Sequence, residues 1–157
     1  MAYAYSRGRF IGAGTYGACC LATVHETGET VVLKDVQLNG LVGKALRQSM
    51  GEVAVLQKLQ HPNIIAYRDS FRTPATATLS IVMEHAAGGD VGSAIEAHSK
   101  SGTRFDEAFI IKVLAQSVDA LAYCHHDLHL LHRDLKPENI FLSGAGNVKV
   151  EHRSRPS

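Results

Sequence analysis

The sequence predicts an α+β fold in two parts, a small β-rich part followed by a helical one. Three observations predict it. From Tyr5 to Glu84, β-branched and apolar runs alternate with glycine, proline and polar turn clusters at strand-like spacing. From Phe105 to His126, apolar residues instead recur every three or four positions, which is a helical period. Between them, at His85-Ala86-Ala87-Gly88-Gly89-Asp90, an apolar strand gives way abruptly to small residues. Strands gathered first and helices gathered after them define the class.

Taken in order, Tyr5 to Val24 reads as two strands around a glycine-rich turn. Phe10-Ile11 lead into Gly12-Ala13-Gly14-Thr15-Tyr16-Gly17, and Cys19, Leu21 and Thr23 continue on one face beyond it. A GxGxxG also marks dinucleotide-binding units, but those enter a helix directly after the last glycine. Here Ala18 to Val24 runs into the turn cluster His25-Glu26-Thr27-Gly28-Glu29 and then into Thr30-Val31-Val32-Leu33-Lys34, a strand ending in a cation. Lys44 to Gln60 carries Leu46, Met50, Val53, Leu56 and Leu59 at helical spacing, with Glu52 its only acid, and His61-Pro62-Asn63-Ile64 stops it. Ile64 to Phe71 and Thr78 to Glu84 are two more strands, with Pro74 the breaker between them. Asp90 caps a short helix running to about Ser99. The clearest helix, Phe105 to His126, has Asp106 and Glu107 in its first turn and Ile110, Leu114, Ser117, Val118, Leu121 and Cys124 on one face. Cys124, His125, His126, His129 and His132 gather near its end. Adjacent histidines on a helix point apart and no second cluster completes a tetrahedral set, so a solvated helix end accounts for them better than a metal site. Asn139-Ile140-Phe141-Leu142 and Asn147-Val148-Lys149-Val150 form a hairpin through Ser143-Gly144-Ala145-Gly146.

The chemistry concentrates in His132-Arg133-Asp134-Leu135-Lys136-Pro137-Glu138-Asn139, which sets an acid, two cations and an amide in eight residues. Asp134 can accept a proton from a hydroxyl nucleophile, Lys136 can neutralise a transferring phosphoryl group, and Asn139 can hold magnesium through its carbonyl oxygen. Pro137 restricts Lys136 to extended backbone, so these side chains fan out from a loop. The stretch reproduces a catalytic-loop pattern and, with the glycine turn and Lys34, resembles the eukaryotic-type protein serine/threonine kinases. Lys136-Pro137-Glu138 is similar to the serine/threonine class.

The resemblance covers residues 5 to 150 and implies a protein-kinase-like α+β fold, with a complete β-rich N-lobe over 5–84, a hinge at 85–89, the first part of a helical C-lobe over 90–150 and a divergent tail at 151–157. It implies an enzyme that transfers the γ-phosphate of ATP to serine or threonine hydroxyls of protein substrates, with ATP and Mg2+ as cofactors. Catalytic roles fall by that resemblance to Asp134, Lys136, Lys34 and Glu52, the glutamate positioning Lys34 on the α- and β-phosphates. Gly12, Gly14 and Gly17 lie over the phosphates, and Ile11, Cys19 and Val32 line the nucleotide pocket. Met83 guards its back, the backbone of Glu84 to Ala86 bonds the adenine edge, Phe141 floors it, and Asn139 is the magnesium ligand. Cys19 in a place usually held by valine, Met83, Gly88-Gly89-Asp90 and Phe141 are together similar to the NIMA-related kinases. That subfamily resemblance implies cytoskeletal or ciliary association.

After Val150 the resemblance stops. Kinases continue into an Asp-Phe-Gly motif whose aspartate chelates magnesium, whereas here Glu151-His152-Arg153-Ser154-Arg155-Pro156-Ser157 follows. His152 stands where alignment puts the aspartate, and imidazole is a poor ligand for a hard cation; Glu151 lies one position off. The activation segment, the Ala-Pro-Glu motif and the later helices are also missing. Two function classes therefore stay open: an ATP-dependent phosphotransferase, and a non-catalytic nucleotide-binding or interaction module. The chain by itself is expected not to turn over, and an uncovered stripe of Ile110, Leu114, Val118 and Leu121 favours aggregation or chaperone capture. With 157 residues, 45% of them hydrophobic, the chain is long enough for a real core. A net charge of +1 with interspersed signs gives no face for nucleic acid, and no apolar run reaches signal-peptide or membrane-span character, so a cytoplasmic protein without a membrane partner is expected. Three cysteines, Cys19, Cys20 and Cys124, fit a reducing compartment. Cys19 reads either as a thiol activated beside Lys34 or as an inert filler of valine's place.

Overall fold

The computed structural model describes residues 4–14, 17–39 and 51–152. They fall into two compact units, one drawn from Met1–Lys58 and Ala66–His85, the other from Leu59–Ile65 and Ala86–Ser157. Among the described residues no helix is long and apolar enough to cross a membrane.

In the first unit, β1 (Tyr5–Gly14), β2 (Gly17–Val24), β3 (Thr30–Gln37), β4 (Tyr67–Thr73) and β5 (Thr78–Glu84) make one sheet in the order β1-β2-β3-β5-β4, with every neighbouring pair antiparallel. β5, an inner strand, is the most deeply buried of the strands, as coverage on both faces requires. Thr78 to Met83 are all buried. One face of the sheet closes on Ala22, Val31, Leu33 and Val82, with Tyr5, Cys20, Val24 and Phe71 packed against them. Each fully buried valine or leucine there is worth about 1.5–3 kcal/mol of transfer free energy. Asp35 lies on that same face two positions beyond Leu33. Its carboxylate is compensated by Arg7, whose Nη2 is 3.0 Å from Oδ1, and by Ser80, whose Oγ donates at 2.6 Å. Residues 51–56 belong to a helix, α1, whose Val53 and Leu56 are buried. The expected helical positions 44–50 lie outside the described residues. The strand expected from Ile64 begins only at Tyr67, because Ile64 and Ile65 belong to the second unit.

The second unit is built from α2 (Val91–Ser101), α3 (Glu107–Ala122) and the hairpin of β6 (Ile140–Leu142) with β7 (Val148–Val150). Both helices start on an aspartate. Asp90 Oδ1 accepts from the Ser93 amide at 2.7 Å, and Asp106 Oδ1 accepts from the Phe109 amide at 2.6 Å, so Asp106 caps α3 from outside its first turn. Gly102, at φ +66°, closes α2 by donating to the carbonyls of His98 and Ser99. α3 ends four residues before the expected His126, passing into one wider π turn at Tyr123–Asp127. Tyr123 is anchored there, its ring stacked 5.1 Å from His61 and its hydroxyl accepting from the Gln60 amide at 3.1 Å. The expected face of α3 is buried only in part. Ser117, Ala120 and Cys124 are buried, whereas Ile110, Leu114 and Val118 are 46%, 61% and 62% exposed. α3 packs on β7, and it turns its small residues inward while the larger apolar ones lie outside.

Candidate active site

In the first unit, strand register sets the geometry. Cys19 pairs with Lys34 and Lys34 with Ile81, while Leu21 pairs with Val32 and Val32 with Met83. Directly opposite residues share a face and so do positions two apart, so Cys19, Val32, Lys34 and Met83 lie together on the face opposite Val31 and Leu33. Lys34 Nζ stands 3.2 Å from Glu52 Oε1, the two side chains only 8% and 14% exposed. Removed from water, a lysine needs such a partner to keep its charge. Gly12 lies opposite Cys19, and Gly14 pairs with Gly17 to close the β1–β2 turn. Ile11 is exposed at an irregularity of β1 between Phe10 and Gly12. Gly17 cannot be any other residue, since at φ +139° an added Cβ would lie 1.9 Å from the Asp35 carbonyl oxygen. Gly12 has open space instead, with nothing within 4 Å of an added Cβ. Glu84 is fixed by both its backbone amide and its Oε2, which bond the carbonyl and amide of Ala66 at 2.9 and 3.1 Å.

In the second unit, the stretch from His132 to Asn139 is a tightly bonded loop. His132 is buried. Its Nδ1 accepts from the Asp134 amide at 3.3 Å and its Nε2 donates to the Glu151 carbonyl at 2.8 Å, which fixes the proton on Nε2. Arg133 takes a left-handed backbone at φ +61°, reversing the chain so that Asp134 follows a turn. Asn139 is 1% exposed, and its Nδ2 donates to the Asp134 carbonyl at 2.7 Å and to Asp134 Oδ2 at 3.2 Å. Asp134 and Asn139 are thereby held as one group. Lys136 is extended at φ −158°, ψ 160°, as a residue before proline should be, and its side chain is exposed. Phe141, half-buried on β6, lies at a bridge to Asp90, and Ala86 is buried. Beyond β7 the Glu151 amide donates to the Asn139 carbonyl at 2.9 Å, and His152 turns inward at 6% exposure, its ring edge-on to His132 at 5.8 Å.

Magnesium, which the family's chemistry uses, is a poor fit to this donor set. The cation takes oxygen ligands in octahedral geometry, usually one or two carboxylates among them. The loop offers the Asn139 carboxamide oxygen and the Asp134 carboxylate, and beyond β7 an imidazole, His152, stands in the aligned place, with the Glu151 carboxylate one position off. Among the described residues no group of three or more histidine, cysteine, aspartate or glutamate side chains could hold a metal ion.

Three positioning residues were given no site role by the sequence reading. Asn63 Nδ2 donates to the Val148 carbonyl at 3.0 Å and its carbonyl accepts from Val150, so His61-Pro62-Asn63-Ile64, read from sequence as a helix stop, extends the β6–β7 hairpin by a parallel bridge. Gln116 of α3 accepts from the Val148 amide at 2.7 Å. Gly88 is the third, its amide donating to the Leu142 carbonyl at 2.8 Å in a space where an added Cβ would meet the Leu142 and Ser143 carbonyl oxygens at 2.8 Å. The double glycine after β5 was a visible signal; the contacts of Asn63 and Gln116 depend on tertiary packing alone.

Compared with known proteins, residues 5–151 match the protein kinase domain. The serine/threonine-protein kinase Nek2 of Homo sapiens is 38% identical over 144 residues, an alignment covering 89% of this chain and 32% of Nek2. Nek1 of Mus musculus is 37% identical over 146 residues, covering 93% of this chain and 12% of Nek1. CBL-interacting protein kinase 4 of Oryza sativa subsp. japonica is 38% identical over 149 residues, covering 93% of this chain and 32% of that protein. The chain thus spans about a third or less of these relatives' lengths. With nearly all of its sequence matched and a five-stranded antiparallel sheet preceding the helices, the chain belongs to the protein kinase domain family, and within it resembles the NIMA-related serine/threonine kinases.

Proposed function

We propose that the chain carries the nucleotide-binding and phosphoryl-transfer residues of an intracellular serine/threonine protein kinase, whose reaction moves the γ-phosphate of ATP to a serine or threonine hydroxyl of a protein substrate. The observation that carries the reading is the low-exposure ion pair of Lys34 with Glu52, because a lysine held rigidly on a strand face is what a polyphosphate needs and what a surface hairpin does not build. Lys34 then serves the α- and β-phosphates, Asp134 takes the hydroxyl proton, Lys136 offsets charge on the group in transit, and Gly12, Gly14 and Gly17 let backbone approach the phosphates. Ile11, Cys19, Val32, Met83 and Phe141 would contact the base, with the backbone from Glu84 to Ala86 supplying its hydrogen bonds. Asn139 is the residue that would hold magnesium.

A specific observation favours the second reading for residues 1–157 taken alone. His152, buried beside His132, supplies no carboxylate where phosphoryl transfer needs one, so these residues bind nucleotide without turning over. Radiolabelled transfer to casein tests both readings. No transfer is expected from this chain, and transfer is expected from an extended version that continues through an Asp-Phe-Gly motif and a full second lobe. In that version Asp134→Asn and Lys34→Met should each abolish the signal. Transfer by the short chain that vanishes in Asp134→Asn would refute its incompetence.

A further inference from the structure

We infer that this chain takes its nucleotide as the free anion, without magnesium, and that His152 sets this preference by placing a buried imidazole on the metal-holding side of the second unit; the inference rests on the nucleotide-binding reading above. The backbone around His152 is fixed from both sides. The Glu151 carbonyl accepts from His132 Nε2 at 2.8 Å and the Glu151 amide donates to Asn139 at 2.9 Å, which leaves His152 directed inward, edge-on to His132 at 86°. Its Nδ1 is buried without a hydrogen-bond partner among the described residues. Burial, assisted by His132, pushes the ring's pKa down to about 4, so at neutral pH it is uncharged. An uncharged ring neither draws in a hard cation as a carboxylate does nor repels phosphate. From 151 to 157 the only acidic side chain is Glu151, one position off, and Asn139, whose amide hydrogens go to Asp134, has its carboxamide oxygen as its one ligand atom.

Phosphate charge must therefore be met by lysine, in the roles proposed above for Lys34 and Lys136. Magnesium works against that arrangement, because complexation lowers the negative charge that the nucleotide presents to them while the protein returns to the ion fewer carboxylate ligands than it ordinarily takes. Adenosine carries no phosphate and should be indifferent.

Calorimetric titration of residues 1–157 with ATP and with adenosine, each in EDTA and in excess magnesium, tests this. The ATP dissociation constant should be equal or smaller in EDTA, and the adenosine constant the same in both buffers. Tightening of ATP by magnesium of about threefold or more overturns the inference while leaving nucleotide binding intact. If neither ATP nor adenosine binds in either buffer, nucleotide binding itself fails and takes the inference with it. In His152→Asp, magnesium should tighten ATP by about tenfold, the scale of a charge-assisted contact; a folded variant showing no such gain removes His152 as the determinant. Because aspartate in a buried position can unfold the unit, manganese resonance on the unaltered chain supplies a further reading. Its spectrum with ATP should match that of manganese-ATP in buffer, and a new protein-bound signal overturns the inference.

Discussion

At the residue scale, Lys34 and Glu52 give the sharpest expectation. Both side chains are nearly out of water, so Glu52→Gln leaves a cation buried without its counterion and should cost about 1–3 kcal/mol in urea denaturation. Combining it with Lys34→Met removes the stranded charge and should recover most of that loss. If single and double variants are equally unstable, the pair does not couple. Glu52 was legible from sequence because it is the only acid in its helix, whereas the burial that makes the pair matter depends on the sheet above it. The thiols make a second contrast. Cys124 is buried at 3% exposure, which raises its thiol pKa, while Cys19 is half-buried on the face it shares with Lys34. Limiting iodoacetamide on folded protein should label Cys19 well before Cys124, read by peptide mapping. Equal labelling would leave Cys19 as a plain substitute for valine.

At the element scale, strands and helices were legible wherever a local rule decides them. The β-branched run of β3, the Ile81-Val82-Met83 run of β5 and the aspartate caps of α2 and α3 are of this kind. Asp106→Ala should accordingly cost about 1 kcal/mol, measured by thermal melting, since the Phe109 amide loses its acceptor. The buried side of α3 was legible in part. Helical periodicity put Ser117 and Cys124 on one face with Ile110, Leu114 and Val118, and of these only Ser117 and Cys124 are buried, joined by Ala120, because packing on a short hairpin favours small side chains that no hydrophobic count rewards. The exposed leucine then offers a test that separates association from stability. Leu114→Gln removes apolar surface already in water, so it should leave the melting temperature of the isolated chain nearly unchanged while slowing light-scattering growth. A large drop in melting temperature would mean that Leu114 is packed in solution.

For the whole molecule, the order of elements was readable and the assignment of chain to unit was not. Leu59–Ile65 lies in sequence between elements of the first unit but folds with the second, where Asn63 and Ile64 pair with β7. The Asn63–Val148 bond joins residues 85 positions apart, a separation at which local propensity is silent. The same β7 leads into His152, and there the stability of the second unit becomes a function of pH. Burial first, and the neighbouring His132 second, lower the pKa of His152 from 6.5 to about 4. Between those values the unfolded chain binds a proton that the folded one refuses, so stability rises with pH across the window. The contribution is fully present above about pH 6.5 and is lost as pH falls towards 4. Between pH 7 and pH 5, where most carboxylates have yet to titrate, the loss should be about 2 kcal/mol. Urea denaturation followed by far-ultraviolet circular dichroism, suited to a chain with no tryptophan, should show it. His152→Gln carries no titrating group and should lose about 2 kcal/mol less over the same interval. Parallel declines in the two proteins would mean that His152 opens to water and protonates without unfolding the unit around it.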